Sequence, residues 1–235
     1  MPVAPPVDLS PLTQSRWYQP LPAEFAQALL ALGHVRTLAS DQALFLRDSP
    51  PCGLYGIVSG SVRFSGHGGQ ADASREALLA VLTPGDWFGE IGLFDAAPRT
   101  HDAHAGEDST LLHIGQADLL EWLQDHPAHW RDLGLLMADK LRAAFVNMEA
   151  HMLLAPPQRL AQRLLLLAQG HAVGEALPVW RPTLNITQDE LARMLGLSRQ
   201  TVNQILQSFK ESGLIGQQRG ELQILDAAAL RERIR

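Results

Sequence analysis

A segment near the C-terminal end, ITQDELARMLGLSRQTVNQILQSFKESGLI at residues 186–215, constrains the fold more than any other part of the chain. Thr187 followed by Glu190 is the capping-box pattern that starts an α-helix, which we predict over residues 188–195. Gly196 favours a helix end, because glycine adopts the left-handed conformation of a C-terminal cap without strain. Ser198 then caps a second helix. Two helices joined by a turn of about three residues that contains glycine indicate a helix-turn-helix.

The second helix separates an apolar face from a polar one. Its predicted inward residues are Val202, Ile205, Leu206 and Phe209. Its predicted outward residues, which we expect to contact DNA, are Arg199, Gln200, Asn203 and Gln204. Arginine matches the O6 and N7 acceptors of guanine, and glutamine or asparagine matches the N6 and N7 edge of adenine. Polar helix faces are usually only solvated, so the evidence for DNA binding is this face combined with two capped helices and a glycine turn.

The residues around this segment complete a DNA-binding domain. After Gly213, the stretch LIGQQRGELQIL predicts two short strands around Arg219 and Gly220, which form a hairpin wing. The run Ala155-Pro156-Pro157 ends the preceding helix, since proline removes an amide donor and clashes with the preceding turn. We therefore predict a winged helix-turn-helix domain over residues 156–235, with its second helix in the major groove. Thr187 and Arg219 complete the predicted DNA contacts.

Net charge differs between the two ends of the chain. The whole chain carries −6, but residues 1–157 carry −9 and residues 158–235 carry +3. A basic tail domain on an acidic body suggests two separate tasks. The phosphate backbone of DNA is therefore expected to meet the C-terminal part.

Composition and motif content exclude several function classes. The single cysteine, Cys52, excludes a secreted disulfide scaffold and a cysteine-ligated iron–sulfur cluster. The apolar runs are too short to span a bilayer and residues 1–30 lack a signal-peptide pattern, so we expect a cytoplasmic protein without a membrane partner. The chain has no nucleophile elbow, P-loop or zinc-ligand pattern, and we predict that it is not an enzyme.

The sequence pattern of the first half of the chain predicts an all-β domain. Between residues 43 and 114, short runs such as ALFL, LYGIVSGSVRFSG and STLLHI are bounded by Gly, Pro, Asp or Ser. The dipeptide Ser59-Gly60 between two such runs is typical of a hairpin turn. This spacing favours a barrel or roll, which we predict over residues 23–117, with a short helix at its start. The proline-rich residues 1–22 are predicted to form an irregular N-terminal arm.

Residues 118–155 are predicted to form one long helix. Apolar residues recur in it at steps of three or four, namely Trp130, Leu133, Met137, Leu141, Ala144 and Met148. A small roll cannot cover so long a stripe alone. The helix either lies on its own domain or forms a coiled-coil-like seam with a second copy, and we favour the seam, with these six residues at the dimer interface.

A segment of the roll, GDWFGEIGLFDAAPRT at residues 85–100, carries residues suited to a phosphorylated ligand. Gly89 allows backbone amides to approach a ligand closely. Glu90 is an acceptor suited to a sugar hydroxyl, and Arg99 is a fork suited to a phosphate. Without further context, Glu90 and Arg99 are also compatible with an internal ion pair of the roll.

The order of β-roll, long helix and winged helix-turn-helix resembles the CRP/FNR family of bacterial transcription regulators. ITQDELARMLGLSRQTVNQIL is similar to the family's DNA-binding signature, in which Ser-Arg-x-Thr-Val opens the recognition helix. The resemblance implies that Arg199 contacts a guanine and that Ser198 and Thr201 contact phosphates. Gln200 and Gln204 replace the Glu and Arg common in the family, so the DNA half-site should differ from the family's best-known one.

The same resemblance implies an α+β fold. It consists of an N-terminal antiparallel β-roll like the jelly roll of cyclic-nucleotide-binding domains, a long dimerisation helix and a C-terminal winged helix-turn-helix. Within the roll, residues 89–100 are similar to the phosphate-binding cassette of those domains. The cassette implies that Glu90 holds the ribose 2′-hydroxyl, that Arg99 pairs with the cyclic phosphate, and that the backbone at Gly89, Ile91 and Thr100 assists. A threonine after the arginine is what cyclic-GMP-binding relatives often show.

The predicted effector is a purine cyclic nucleotide: cyclic GMP, cyclic AMP or cyclic di-GMP. Adenine readout as in the cyclic-AMP-responsive members is not expected, because Ala144 and Phe145 replace the Thr-Ser pair that reads the base across their dimer. Of these two residues only Phe145 can contact a base, by stacking. His101 also replaces the usual alanine after the cassette. The alternatives are another small effector or no ligand at all.

The nine histidines raise a metal or haem hypothesis, because some family members sense gases through haem. The candidate pairs are His101 with His104 and His126 with His129, but an isolated pair at such a spacing is more often a pair of surface residues. We predict no metal site and no required cofactor. The predicted partners are double-stranded DNA with an inverted-repeat operator, a second copy of the chain, and RNA polymerase.

Overall fold

The computed structural model describes residues 7–67, 76–169, 180–218 and 221–234. The chain divides into two compact units, one formed by residues up to 66 with residues 79–138, the other by residues 67–78 with residues 139–235. Across the described ranges, no helix combines the length and the apolar character needed to cross a membrane.

An antiparallel β-roll forms the body of the first unit, as predicted. Its strands are β1 Gly33–Leu38, β2 Ala43–Phe45, β3 Gly53–Ser59, β4 Val62–His67, β5 Glu76–Leu82, β6 Trp87–Phe88, β7 Asp102–Ala105 and β8 Ser109–Gly115. They make two four-stranded sheets, with the orders β1-β8-β3-β6 and β2-β7-β4-β5. Tyr55 and Leu111 of the first sheet pack with Val62 and Ala103 of the second, so the two sheets share one apolar core.

Helices cover the other side of the first sheet. They are α1 Ser10–Thr13, α2 Ala23–Ala31, α3 Ile91–Asp95 and α4 Gln116–Asp125. Side chains alternate along a strand, so Leu54 and Leu112 point away from the shared core and pack in a second cluster that includes Phe25 and Leu119. The first sheet therefore lies between two apolar layers.

The N-terminal arm is more ordered than predicted. From residue 7 onward it contains α1, in which Pro11 occupies a position in the first turn that needs no amide donor. Leu12 is fully buried, the indole N–H of Trp17 donates to the carbonyl of Asp132 at 2.9 Å, and the Tyr18 hydroxyl donates to the carbonyl of Ala26 at 2.7 Å. Packing of these large side chains, which local proline content does not reveal, makes this part of the arm a layer of the core.

The predicted hairpin at Ser59-Gly60 is wrong. β3 and β4 follow one another but lie in different sheets, so the chain crosses between sheets at this point. Gly60 does adopt a left-handed φ of 79°. Ser109 stabilises the crossing, because its hydroxyl accepts from the amide of Ser61 and donates to the Ser61 carbonyl, both at 3.0 Å. A turn signal predicts a change of direction, but it does not predict which strand becomes the neighbour.

The long helix is interrupted, contrary to the prediction of one helix over residues 118–155. The chain forms α4, then a 3-10 turn at Pro127–His129, and then α5 Trp130–Leu153. Pro127 lacks an amide donor and disfavours helical geometry at His126, which adopts φ −127° and ψ 55°. The long helix α5 therefore starts at Trp130.

Two residues assigned to the dimer interface belong to the core of their own chain instead. Leu133 is fully buried in the cluster under the first sheet, and Trp130 packs against the same cluster. Met137 is half-buried, whereas Leu141, Ala144 and Met148 are exposed. The apolar stripe thus divides into an N-terminal part that fixes α5 to the roll and a C-terminal part that remains uncovered.

The second unit contains a winged helix-turn-helix, as predicted. Besides the end of α5, its elements are α6 Pro156–Ala168, β9 Thr183–Leu184, α7 Gln188–Leu195, α8 Arg199–Glu211, β10 Ile215–Gln218, β11 Glu221–Ile224 and α9 Ala227–Glu232. β10 pairs with β11 so that Gln218 lies opposite Glu221, which confirms the wing. Arg219 and Gly220, predicted at its turn, lie outside the described residues. α6 begins at Pro156 after an extended Ala155, as the prolines predict.

We expect Leu133→Ala to destabilise the first unit by about 2–5 kcal/mol, because it removes a fully buried side chain and leaves a cavity. The free energy of unfolding is measured in urea by tryptophan fluorescence, to which Trp17, Trp87, Trp122 and Trp130 contribute from this unit. Leu135→Ala, two residues along the same helix and 46% exposed, is the matched control and should cost less than about 1 kcal/mol. Equal losses for the two variants would contradict the burial of Leu133 in the core of the first unit.

Candidate nucleic-acid interface and ligand site

A reciprocal cap sets the start of α7. The amide of Glu190 donates to the Thr187 hydroxyl oxygen at 3.1 Å, and the amide of Thr187 donates to the Glu190 carboxylate at 2.9 Å. At the other end, Gly196 adopts a left-handed φ of 62°, and its amide donates to the carbonyl of Ala192. The first helix of the motif therefore begins and ends where the sequence predicts.

A serine cap sets the start of α8 and thereby the side chains it presents. Ser198 Oγ accepts from the amide of Thr201 at 3.0 Å, and the two hydroxyl oxygens lie 2.8 Å apart. The helix buries the four apolar residues predicted to face inward, Val202, Ile205, Leu206 and Phe209. All four predicted outward residues, Arg199, Gln200, Asn203 and Gln204, are exposed. The predicted contact face is thus available to a partner.

A groove of about 460 Å³ separates the start of α7, the face of α8 and the wing. Besides apolar residues and the carboxylate of Asp189, the polar side chains that line it include Thr187, Gln188, Arg199, Gln207, Lys210 and Gln217. The sequence analysis did not single out Gln188, Lys210 or Gln217. Helical spacing points to Gln207, since it follows Arg199 by eight residues, but the wing strand reaches the groove only through the tertiary fold.

In the roll, the predicted ligand segment begins at a close approach of two backbone stretches. Gly89 has a φ of 104°, and a Cβ at this position would lie 2.4 Å from the carbonyl oxygen of Gly53. Only glycine fits there without moving the backbone. Glu90 follows at the start of α3 and is almost fully buried. The glycine is therefore required by the close approach of these two paired backbone segments.

Arg99 is held inside the roll by several contacts. Its Nη1 donates to the carbonyl of Gly89 at 3.2 Å, and its Nη2 donates to the carbonyl of Gly53 at 2.9 Å and to Cys52 Sγ at 3.2 Å. The guanidinium also lies over the Phe45 ring, 4.4 Å from its centroid. Arg99 is 8% exposed, and its Nε, which is buried, has no hydrogen-bond partner among the described residues. A buried N–H donor without a partner is costly, so this position suits an oxygen of an anionic ligand.

The remaining predicted ligand residues differ in placement. Thr100 is exposed, and its hydroxyl shares a hydrogen bond of 2.9 Å with Nδ1 of His101. Burial, and secondarily the charge of Arg47, lower the pKa of the His101 imidazole, so that it is neutral at pH 7. Ile91 is about half exposed at the start of α3. Phe145 lies in the second unit, where it is exposed, and its place in the ligand site stays a prediction.

The sequence analysis missed Cys52 as a neighbour of Arg99. Cys52 Sγ lies 3.1 Å from the Tyr55 hydroxyl, and burial together with this contact raises the pKa of Tyr55. The two residues in contact, Cys52 and Arg99, are far apart in sequence, and no local pattern connects them.

One of the two histidine pairs considered for a metal, His126 with His129, contacts neighbouring carboxylates. His126 Nε2 lies 3.1 Å from the Glu24 carboxylate, and His129 Nδ1 lies 2.8 Å from that of Asp132. Within the part of the chain that the structure describes, no group of three or more His, Cys, Asp or Glu side chains is arranged to hold a metal ion.

Comparison with known proteins matches both units to established domains. The profile of the cyclic nucleotide-binding domain matches residues 35–126, and that of the Crp-like helix-turn-helix domain matches residues 158–233. The fold is similar to that of the c-di-GMP responsive global regulator CLP from Xanthomonas campestris, with a TM-score of 0.66 at 23% identity, covering 87% of this chain and 100% of that chain.

Two curated relatives extend over most of the chain. The CRP-like cAMP-activated global transcriptional regulator of Mycobacterium tuberculosis is 34% identical over 194 residues, which are 82% of this chain and 84% of the relative. The cyclic AMP receptor protein of Thermus thermophilus is 35% identical over 182 residues, 76% and 78% of the two chains. With both domain profiles matched, this level of identity shows that the chain belongs to the CRP/FNR family of transcription regulators.

Proposed function

We propose that this protein is a homodimeric, sequence-specific DNA-binding regulator controlled by a purine cyclic nucleotide in the β-roll. The observation that carries the proposal is the exposed polar face of α8, whose start is set by the Ser198 cap. In this assignment residues 156–235 bind DNA, α5 joins two copies, and the roll is the sensor. The protein acts in the cytoplasm, where DNA and RNA polymerase are its partners.

The face of α8 supplies the groups that a major groove requires. Arg199 lies in the first turn and is exposed, which suits a fork contact to guanine O6 and N7. The hydroxyls of Ser198 and Thr201 lie at the same helix end, where phosphate oxygens are favourably bound. Gln200, Asn203 and Gln204 complete the proposed base contacts, and Thr187 and Arg219 the flanking contacts.

The uncovered half of α5 supports a dimer. Leu141, Phe145, Met148 and Met152 are each more than half exposed, and they follow one another at steps of four, three and four. This is the spacing of a coiled-coil seam, which a second copy of the same helix covers through two-fold symmetry. Ala144 lies beside this stripe. Two symmetry-related recognition helices read two half-sites about one DNA turn apart, so the operator is an inverted repeat.

The buried N–H of Arg99 supports a phosphate-bearing effector. The M. tuberculosis and T. thermophilus relatives are named for cyclic AMP, and the cassette from Gly89 to Thr100 contains the matching Glu90 and Arg99. Ile91 adds a backbone contact in this scheme, and Phe145 a stacking contact. A ligand that favours one arrangement of α5 shifts the population that binds DNA.

A second candidate keeps the DNA-binding function and changes the effector. Arg99 already donates to two backbone carbonyls and a thiol, and Ala144 and Phe145 carry no donor for a base edge. These observations favour a regulator that responds to another small anionic effector, or to none.

We expect Arg199→Ala to reduce the discrimination between two operators by about 1–3 kcal/mol. The two are the selected operator and a variant in which the contacted G·C pair is replaced. The reason is loss of the two donors that match guanine. Binding is measured by fluorescence anisotropy at a fixed salt concentration on an operator obtained by selection from random DNA. Arg142→Ala removes an equal charge from the exposed surface of α5 and should leave the discrimination unchanged. Unchanged discrimination in Arg199→Ala would refute the placement of the recognition helix.

We expect Leu141→Asp and Met148→Asp to halve the sedimenting mass at micromolar concentration, because a charge in an apolar seam is not solvated. The mass is measured by analytical ultracentrifugation. Arg142→Glu, which lies on α5 outside the stripe, is the control and should leave the mass of a dimer. A monomeric wild-type protein, or dimeric Asp variants, would contradict the seam.

We expect one of cyclic AMP, cyclic GMP and cyclic di-GMP to bind in a calorimetric titration, and Arg99→Gln to abolish this binding by removing the buried donor. Arg131→Gln, an exposed arginine of the same unit, is the matched control and should bind normally. Circular dichroism verifies that each variant is folded. Binding that survives in folded Arg99→Gln would contradict the assigned site, and absence of binding by all three nucleotides would favour the second candidate.

A further inference from the structure

One polar contact of the helix-turn-helix has no part in the function proposed above: the side chain of Gln188 holds that of Asn203. Asn203 Nδ2 donates to Gln188 Oε1 at 2.9 Å. Gln188 is the first residue of α7, and Asn203 lies in the second turn of α8. The bond therefore connects the two helices of the motif through side chains on their partner-facing side.

Both ends of this bond start from well-anchored backbone. Gln188 follows Thr187, whose reciprocal cap with Glu190 fixes the first turn of α7. Asn203 follows the Ser198 cap and is adjacent to the fully buried Val202. Gln188 is itself half-buried. The position of the acceptor oxygen is thus determined by the packing of the domain rather than by a free side chain.

Asn203 differs in this respect from the other amide side chains on the same face. Gln200 and Gln204 are exposed, and neither makes a side-chain hydrogen bond within the described ranges of the chain. These two must lose rotamer freedom when they bind. The Asn203 side chain is already restricted by its bond to Gln188.

The position of Asn203 places it beside the predicted guanine contact. It follows Arg199 by four residues, so the two side chains are neighbours on one strip of α8. Arg199 and Gln188 both line the groove next to this strip. A recognition helix that brings Arg199 to one base pair therefore brings Asn203 to an adjacent one.

We propose that Gln188 is a positioning residue that orients Asn203 to read an adenine, an inference that rests on α8 being the recognition helix. With one N–H of Asn203 held by Gln188, a second N–H and the Oδ1 acceptor remain, which match N7 and N6 of adenine. While Gln188 keeps its observed orientation, rotating the Asn203 carboxamide by half a turn would bring Oδ1 against Gln188 Oε1, two acceptors without a proton between them. In the observed pair of orientations, Asn203 therefore presents its second N–H and its Oδ1 acceptor to DNA.

The test is selection from randomised DNA with the full-length protein, without nucleotide and with cyclic AMP or cyclic GMP, followed by affinity measurements on single-base-pair variants. Asn203→Ala should reduce the preference for adenine at one position of each half-site by roughly 5- to 100-fold. Gln188→Met, which keeps the length of the side chain and removes the acceptor, should reduce it at the same position by about 3- to 10-fold. The double variant should match Asn203→Ala, since the two residues act as a unit.

Two further variants separate positioning from other roles. Gln188→Glu retains the acceptor and should preserve the adenine preference while weakening binding to all sequences, because it adds a negative charge near the phosphates. Gln124→Ala, an exposed helical glutamine outside the DNA-binding domain, is the matched control and should change nothing.

The outcomes distinguish this inference from the function on which it rests. If Asn203→Ala flattens one position but Gln188→Met leaves every preference intact, Gln188 does not position Asn203. If Asn203→Ala changes no position, Asn203 does not read a base. Either result overturns the inference alone. A wild-type protein that selects no sequence under any condition overturns the proposed function and the inference with it.

Discussion

Burial of one face of α8 decides which side chains this protein presents to DNA. Val202, Ile205, Leu206 and Phe209 are buried in the core of the domain, and at 3.6 residues per turn Asn203 and Gln204 project outward. The Ser198 cap contributes about 1 kcal/mol to helix stability, and it also determines where the helix begins. A start displaced by one residue would turn a different set of side chains toward the partner.

The roll depends on a comparable constraint, applied to backbone instead of side chains. Gly89 and Gly53 approach so closely that no Cβ fits between them, and the carbonyls of both glycines hold Arg99. An arginine held in this way is already oriented, so that ordering it would cost little on binding a ligand. Cys52 becomes part of the same arrangement because it precedes Gly53. The placement of Arg99 therefore depends on the close approach of two paired backbone segments.

The two ends of the long helix α5 differ in burial, although their apolar residues recur at the same spacing. In its first turns Leu133 is fully buried against the roll, whereas Leu141 and Met148, on later turns, remain exposed. Both parts are apolar, and they recur at the same steps of three and four. α5 thus begins in the core of the first unit, and its later turns carry an uncovered apolar stripe. This arrangement accords with family membership, in which a nucleotide-binding domain and a helix-turn-helix share one chain.

The sequence alone determined the two caps, the glycine turn, the wing and the proline boundary at Pro156, because each depends on groups within a few residues of one another. It also indicated Gly89 and Arg99, though only as a resemblance. Tertiary structure decided that β3 and β4 enter different sheets and that Leu133 is buried while Leu141 is not. It also placed Cys52 beside Arg99, and Gln188 beside Asn203. These outcomes depend on contacts between segments far apart in the chain. A local sequence pattern does not identify which distant segment will be the neighbour.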